Sequence, residues 1–450
     1  MSGALIAGLG FGFMLLAIFL RVPIAAAMGI TGFLGSWVLL GNPMAMLSQL
    51  KTLPYDTFST YSLSIVPLFL LMGQIATKSG LSATLFQAAA DLIGHRRGGM
   101  AMATVGASAA FGAVCGSSLA TASTMGPVAL PEMRKRGYDE ALSTGVVAAG
   151  GTLGILIPPS IILVLYAILT EQNIVKLFAA ALIPGLLAAL GYLLAVTVYV
   201  RISPSSAAQG PKQSWQQRRA SLVKTWPVIV IFGLVMGGIV ADWNWLRPGT
   251  QALFTPTEGA AVGVLLVALH GVFFAGLSWG QLRDSILETA TACGFIFLVL
   301  LGAQLFNAFL AFSQVPQLFT DWVSASGWAP MTIICAMLLV YLALGCVMDS
   351  LSMILLTIPV FFPVVEGLNM AMGPEATALW FGILTLVVVE VGLITPPVGL
   401  NLFIVNKLAG NVPLGATYRG VTPFVIADLL RVLLLLALPG LALWLPQSLG

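Results

Sequence analysis

The run Gly-Ile-Leu-Ile-Pro-Pro (Gly154 to Pro159) recurs as Gly-Leu-Ile-Thr-Pro-Pro (Gly392 to Pro397), and both copies sit inside apolar sequence. Each is preceded by a second interruption. In the first half this is Gly-Ala-Val-Cys-Gly-Ser-Ser (Gly112 to Ser118); in the second it is Gly-Cys-Val-Met-Asp-Ser (Gly345 to Ser350). Proline has no backbone donor and its ring clashes with the preceding turn, so two in succession unwind a helix. At membrane depth such a break persists only where the freed backbone is buried in protein or lines a polar cavity. Two breaks per half, at matching positions, point to a transporter whose binding site lies between discontinuous helices. Aligned on the glycines, Ser117 falls on Ser350, Gly154 on Gly392, and Pro158-Pro159 on Pro396-Pro397. Gly73-Gln74 and Gly302-Ala303-Gln304 stand ahead of the two units in a similar way.

Composition sets the surroundings of these motifs. Hydrophobic residues make up 59% of the chain and charged residues 8%, whereas soluble proteins carry about 25% charged residues. Too few charges remain to coat a water-soluble surface, so the chain is expected to be a polytopic membrane protein. At roughly 20 residues per span plus loops, the chain has room for about a dozen membrane segments. Its basic residues are scattered between apolar stretches rather than gathered on one face, so a nucleic-acid role has no support. The four cysteines, Cys115, Cys293, Cys335 and Cys346, lie in apolar sequence without metal-type spacing and read as small buried hydrophobes. The first apolar stretch follows Met1 without a basic lead or a cleavage motif, so it is expected to be the first span rather than a removable signal.

Apolar stretches suited to spans occupy residues 4–20, 24–40, 62–77, 142–170, 175–200, 226–241, 258–278, 290–312, 376–406 and 422–446. Residues 81–94 are amphipathic and suit an arm along the interface. Orientation follows positive charge. The linker 201–224 holds Arg201, Lys212, Arg218, Arg219 and Lys224 with no acid, and is expected in the cytoplasm. Counting back places Arg134, Lys135 and Arg136 there too, and Arg96 and Arg97 want the same side. The stretch 99–130 must then begin and end on one face, as a helical hairpin turning at Gly116-Ser117-Ser118. No Lys or Arg occurs between Arg283 and Lys407, so the stretch 331–364 is expected to dip in from the opposite face. Two hairpins entering from opposite sides are what an inverted repeat requires.

The chemistry is expected at these breaks. Unwinding at the proline pairs frees carbonyl oxygens around Gly154 to Ile157 and Gly392 to Thr395, hard ligands suited to a small cation such as sodium. The hairpin tips, with Ser117 and Ser118 flanked by Gly112 and Gly116, offer helix N-terminal N–H groups to an anion. Asp349 is the sharpest single residue, because a carboxylate within an apolar stretch is costly unless paired. It could bind sodium, carry a proton or cap a helix. Glu390 and Glu258 are further candidates, although Glu258 follows Thr255-Pro256-Thr257 at a helix start and suits capping. Gln304 and Asn307 could face either a cavity or another helix.

Three runs taken together carry a family resemblance: Thr-Pro-Thr-Glu-Gly-Ala-Ala (Thr255 to Ala261), Gly-Thr-Leu-Gly-Ile-Leu-Ile-Pro-Pro-Ser (Gly151 to Ser160) and Gly-Leu-Ile-Thr-Pro-Pro-Val-Gly-Leu-Asn-Leu-Phe (Gly392 to Phe403). Over essentially its whole length the chain resembles the large membrane subunit of TRAP (tripartite ATP-independent periplasmic) transporters. The resemblance implies an all-α polytopic protein of the bacterial inner membrane, an inverted-repeat elevator-type transporter with two re-entrant hairpins and two Pro-Pro-broken helices. It implies sodium-driven uptake of a small organic acid, a carboxylate, delivered by a periplasmic binding protein, with a separate four-helix membrane subunit bracing the scaffold in the bilayer. One sodium site would use Cys115, Ser117, Gly154, Ile157 and Pro159; the symmetric site would use Asp349, Ser350, Gly392, Thr395 and Pro397. Substrate contacts are expected from Ser117, Ser118, Pro158, Ser350, Pro396 and Asn401. Members of the family commonly carry Ser where this chain has Cys115, a change that a carbonyl ligand survives and a hydroxyl ligand does not. The expected division is scaffold and arm at 1–98, a first transport unit at 99–170, scaffold with the linker at 171–330, a second transport unit at 331–406 and a C-terminal scaffold helix at 407–450.

Other classes fit less well. An intramembrane hydrolase using Ser117 or Ser350 needs a base within hydrogen-bond reach, and the two histidines, His95 and His270, lie in a basic loop and near a span end. An aspartyl enzyme needs paired aspartates, and Asp349 is the one aspartate expected deep in a span. Breaks paired across an inverted repeat argue for alternating access over an open channel. Proton coupling through Asp349 stays open as an alternative to sodium.

Overall fold

The computed structural model describes residues 3–241, 252–325, 327–368 and 370–448. Met1 and most of the turn between the expected spans 226–241 and 258–278 lie outside the described residues. Among the described residues every regular element is helical. Seven helices are long and apolar enough to cross a membrane, and up to nine spans result if each of two bent pairs counts as one. The shortfall from a dozen is one of length: Gly3–Phe19 and Ile24–Leu40 are apolar but only 17 residues each.

The two interrupted stretches are helical hairpins. Helices Gly99–Cys115 and Ser118–Lys135 are joined through Gly116 and Ser117 alone, and Pro330–Gly345 and Ser350–Gly367 through residues 346–349. In each case the two helices pack against one another. Each Pro-Pro run breaks a helix, giving Glu140–Leu156 followed by Ile161–Leu169, bent by 45°, and Pro374–Leu393 followed by Leu400–Ala409. Hairpin and broken helix together form one unit, and the chain carries two.

The trailing half-helices cross between units. Ile161–Leu169 packs on Ser350–Gly367 of the second hairpin, with the Tyr166 and Phe362 rings edge to face at 6.3 Å, and the Tyr166 hydroxyl donates to the Ala378 carbonyl at 2.7 Å. Leu400–Ala409 packs on Ser118–Lys135 and Glu140–Leu156 of the first. At its end, Arg134 donates to the Ala409 carbonyl while also holding Glu140 through two bonds, at 2.6 and 3.1 Å.

A second group of helices, Ile24–Leu40, Ile65–Lys78, Trp226–Val240, Pro256–Phe273 and the 35-residue Trp279–Ser313, packs among itself. Helices Ile174–Ile202 and Leu414–Ala437, expected in the scaffold, pack on Glu140–Leu156 and Pro374–Leu393 and on each other. Gly145 and Gly420 allow this: a methyl group on Gly420 would overlap the Ala141 carbonyl, and one on Gly145 would overlap the Gly420 backbone. Small residues of this kind let membrane helices approach to backbone contact.

Among the helices that go beyond the sequence reading, two bear on the packing of the frame and the arm. Met44–Phe58 escapes a hydropathy scan because Lys51, Pro54 and Asp56 interrupt it, yet Met46 and Leu53 are buried against Leu305. Within the linker, Trp215–Lys224 is a helix started by a Ser214–Gln217 capping box. It docks on the expected arm, Leu81–Ile93, where Ser221 donates to Asp91 at 2.5 Å and Gln87 donates to the same carboxylate at 2.8 Å. The polar side of that arm therefore faces the linker. Glu258 closes a capping box with Thr255, its expected job. Thr57 donates to the Gln304 side chain at 2.8 Å, so Gln304 faces another helix.

Gly420→Val is expected to lower stability by about 1–3 kcal/mol by forcing the helices apart. Gly191→Ala, whose methyl would rest 3.9 Å from the Ala427 Cβ, is expected to be neutral. Thermal melting of the two variants in detergent reads the difference, and equal melting temperatures would show that this contact does not limit packing.

Candidate functional site

Each hairpin tip lies against its own helix break, and glycine makes the contact possible. An added Cβ on Gly112 would stand 2.5 Å from the Gly154 Cα, and one on Gly392 would stand 2.5 Å from the Gly345 Cα. The two pairs match the repeat, Gly112 with Gly345 and Gly154 with Gly392. Gly116, at φ +66°, turns the first tip and abuts the Pro159 carbonyl, where a Cβ would meet oxygen at 2.8 Å. In the second unit the Gly399 N–H donates to the Cys346 carbonyl at 3.1 Å. The sequence-level pairing of Gly73 with Gly302 does not hold in space: Gly73 lies against the Cys115 carbonyl of the first tip, whereas Gly302 packs on Ala25. Trp279–Ser313 packs chiefly on Ile24–Leu40 and meets the second hairpin through Ser350–Gly367.

The tips differ by one residue. Ser117 is the N-cap of Ser118–Lys135 and accepts from the Ala120 N–H. In the second hairpin the N-cap is Asp349, which accepts from the Ser352 N–H at 3.1 Å and from the Ser352 hydroxyl at 2.5 Å. Structurally Ser117 thus corresponds to Asp349, and Ser118 to Ser350, one position off the motif alignment. The second tip is shorter by one residue between its glycine and its cap. Of the three roles open to Asp349, capping is visible directly.

Around the first break, Cys115, Gly154, Ile157, Pro158 and Pro159 are buried and Ser117 is half-buried. Pro158 and Pro159 remove the donors that would serve the carbonyls of Gly154 and Ile155. Gly154 faces the Ser117 carbonyl and the Thr121 hydroxyl. Thr121 is a residue the sequence reading passed over. Its hydroxyl is fully buried without a hydrogen-bond partner, one turn beyond the Ser117 cap. Around the second break Ser350 and Gly392 are buried, Asp349 and Thr395 are half-buried, and Pro396 and Pro397 are exposed. Here Pro396 and Pro397 leave the carbonyls of Gly392 and Leu393 without their usual partners, although the Thr395 N–H reaches Gly392 at 3.0 Å. Both Pro-Pro bonds are cis.

Asn401 lies with the first unit rather than the second. It is fully buried, its amide donates to the Ala148 carbonyl at 3.4 Å, and its carbonyl oxygen has no hydrogen-bond partner. No group of three or more His, Cys, Asp or Glu side chains suited to a metal ion occurs among the described residues. A cation at either break would therefore be held by backbone and hydroxyl oxygens, joined at the second by Asp349.

One expectation is corrected. Asp349 is not the only aspartate deep in apolar sequence: Asp428 lies buried in helix Leu414–Ala437. It accepts from the Tyr192 hydroxyl at 2.7 Å and pairs with Arg431 at 2.9 Å, and Tyr192 also meets the Thr152 hydroxyl at 2.8 Å. Arg431 stands one turn along the same helix, and the leucine-rich residues around the two keep the stretch apolar on average and hide the pair. Cys115, Cys293 and Cys346 are buried free thiols as expected, while Cys335 is partly exposed.

Two discontinuous-helix units closed tip against break, set in a frame of apolar helices, define a multi-pass secondary transporter. Over residues 11–441 the chain matches the family model described as Tripartite ATP-independent periplasmic transporter, DctM component. It belongs to that family and is a large membrane subunit of the TRAP type, a multi-pass inner-membrane protein and not an enzyme. The family assembles as a tripartite system with a small membrane subunit and a periplasmic binding protein. The C4-dicarboxylate TRAP transporter large permease protein DctM of Pseudomonas aeruginosa is 35% identical over 94% of this chain and 94% of its own length. The isethionate TRAP transporter permease protein DctMQ of Oleidesulfovibrio alaskensis is 30% identical over 94% of this chain and 64% of its own. In fold, the chain is similar to the YdaH transporter of Alcanivorax borkumensis, with a TM-score of 0.62 and 15% identity over 88% of each chain.

Asp349 offers a clean separation of capping from charge. Asp349→Asn keeps an equally good cap, and Asp349→Ala removes it at a cost of about 1 kcal/mol. If only the cap matters, Asn is expected to transport normally and Ala to melt earlier. If the charge holds a cation, Asn is expected to melt normally and lose ion-driven uptake in proteoliposomes.

Proposed function

We propose that this subunit is a sodium-coupled symporter that takes up a small organic acid handed over by a periplasmic binding protein. The observation that carries the reading is the paired arrangement of tip against break, Gly112 on Gly154 and Gly345 on Gly392. Each pair places carbonyls deprived of helical donors beside a helix N-terminus. A sodium ion at the first break would take oxygens from Cys115, Ser117, Gly154, Ile157 and Pro159, with the unpartnered Thr121 hydroxyl close by. At the second it would take Asp349, Ser350, Gly392, Thr395 and Pro397. Ion binding would draw each tip onto its break and fix the N-terminus above it.

The substrate anion belongs between those N-termini. Ser117 and Asp349 already occupy the Ala120 and Ser352 N–H groups as caps, and helix geometry leaves the N–H groups of the first two residues, at Ser118 and Ser350 onward, without intrahelical partners. These donors and the positive dipole ends suit a carboxylate, with Pro158, Pro396 and Asn401 shaping the walls. C4-dicarboxylate and isethionate, named for the two relatives, are both small organic anions. The crossing half-helices support movement of both units as one block against the remaining helices, an elevator motion. A separate four-helix subunit would brace that frame in the bilayer.

Uptake into proteoliposomes containing this chain, its small subunit and the binding protein is expected to require an inward sodium gradient. Equal uptake in potassium medium would overturn sodium coupling. If a pH gradient alone then drove it, the proton reading would replace it.

A further inference from the structure

The linker helix Trp215–Lys224 runs into the span Trp226–Val240 across Thr225 alone, with a bend of 43°. It therefore sits where the chain leaves the apolar layer, at the level of lipid headgroups. No residue of this helix is buried. Arg218 and Ser221 turn toward the arm: Arg218 Nη2 lies 3.2 Å from His95 Nδ1, beside the bond from Ser221 to Asp91. Helical spacing puts Trp215, Arg219 and Leu222 together on another face, and all three are exposed, as is Trp226 at the start of the span. Large apolar side chains that share a face with arginine are the pattern of a helix lying in a membrane surface.

The positive charge here has no counterpart within the chain. Among the described residues Arg96, Arg136, Lys212, Arg218, Arg219 and Lys224 form no ion pair. The acids of the same region are already engaged. Asp91 accepts from two uncharged donors, Gln87 and Ser221; Glu132 and Glu140 pair with Lys135 and Arg134; Asp139 caps helix Glu140–Leu156. The bases also converge from three segments. The Gly210 N–H of the linker donates to the Gly94 carbonyl at the end of the arm, at 3.3 Å. A Cβ on Gly210 would overlap the guanidinium of Arg136, which follows the first hairpin. Arg218 Nε is shielded from solvent and has no hydrogen-bond partner. Clustered bases beside the end of a span attract the anionic lipids of the adjoining leaflet.

We propose that the linker helix, with the end of the arm and the exit of the first hairpin, holds the phosphate groups of anionic phospholipids from the adjoining leaflet. The guanidinium forks of Arg218 and Arg219 suit phosphate oxygens, Trp215 and Leu222 enter the acyl boundary, and Arg136 and Lys212 extend the positive surface. Bound lipid pins the linker onto the arm. This surface is independent of which ion or anion is carried.

Hydrogen–deuterium exchange of the full chain with its small subunit, in nanodiscs of phosphatidylcholine with and without phosphatidylglycerol, reads the binding directly. Phosphatidylglycerol is expected to slow exchange across residues 211–224, and high salt to remove the slowing by screening. Arg219→Gln with Lys224→Gln changes two exposed side chains away from the arm contact. It is expected to weaken the phosphatidylglycerol response by about fivefold for each charge removed, whereas Arg219→Lys with Lys224→Arg keeps the charge and is expected to restore it. Equal exchange in the two kinds of disc, or an undiminished response in the glutamine variant, would overturn the proposal. So would slowing produced by inorganic phosphate alone, which would mark an anion site rather than a lipid surface. Slowing that depends on the small subunit and not on lipid charge would assign the surface to that chain instead.

Discussion

Contact between glycine backbones, Gly112 on Gly154 and Gly345 on Gly392, is the constraint on which the rest of the molecule depends. A broken helix inside an apolar medium exposes carbonyls that water cannot reach, and something polar must lie against them. Only a surface without side chains can bring another backbone that close. The hairpin tips supply it, and their caps, Ser117 and Asp349, satisfy their own N–H groups without crowding the gap. Tip and break are therefore a single device: neither half would be tolerated at that depth without the other.

Much of this device was legible in the residues. Proline pairs and glycines carry strong local signals, and their repetition located all four breaks and paired them correctly. What the motif alignment missed was the one-residue shortening of the second tip, because an alignment anchored on Gly112 and Gly345 has no way to see which residue starts the next helix. Thr121 and the Asp428–Arg431 pair escaped for a different reason. A hydroxyl in a small-residue helix looks like packing, and two charged residues among many leucines are outweighed in any averaged hydropathy. The helix Met44–Phe58 was lost to its interrupting Lys51, Pro54 and Asp56, whose cost in the apolar pattern conceals a real buried face.

Polar groups buried away from the breaks serve the frame around them. Tyr192 joins Thr152 of the first broken helix to Asp428 of Leu414–Ala437, and Arg431 balances the charge. Asp428, paired with Arg431 and hydrogen-bonded by Tyr192, can thereby persist in an apolar interior. Glycine contact at Gly145 and Gly420 brings the same helices to backbone distance. Close approach and a specific polar link together fix how Leu414–Ala437 sits on the unit, where an apolar interface alone would allow sliding.

The exchange of half-helices has an evolutionary and an engineering meaning. Ile161–Leu169 finds its partner in the later copy and Leu400–Ala409 in the earlier one, the arrangement of a swapped dimer written into one polypeptide. Severing the chain in the linker would leave each fragment with an orphan limb whose mate resides on the other. Such fragments could regain their shape only by finding each other in the bilayer, so the linker's length matters less than the stoichiometry it guarantees.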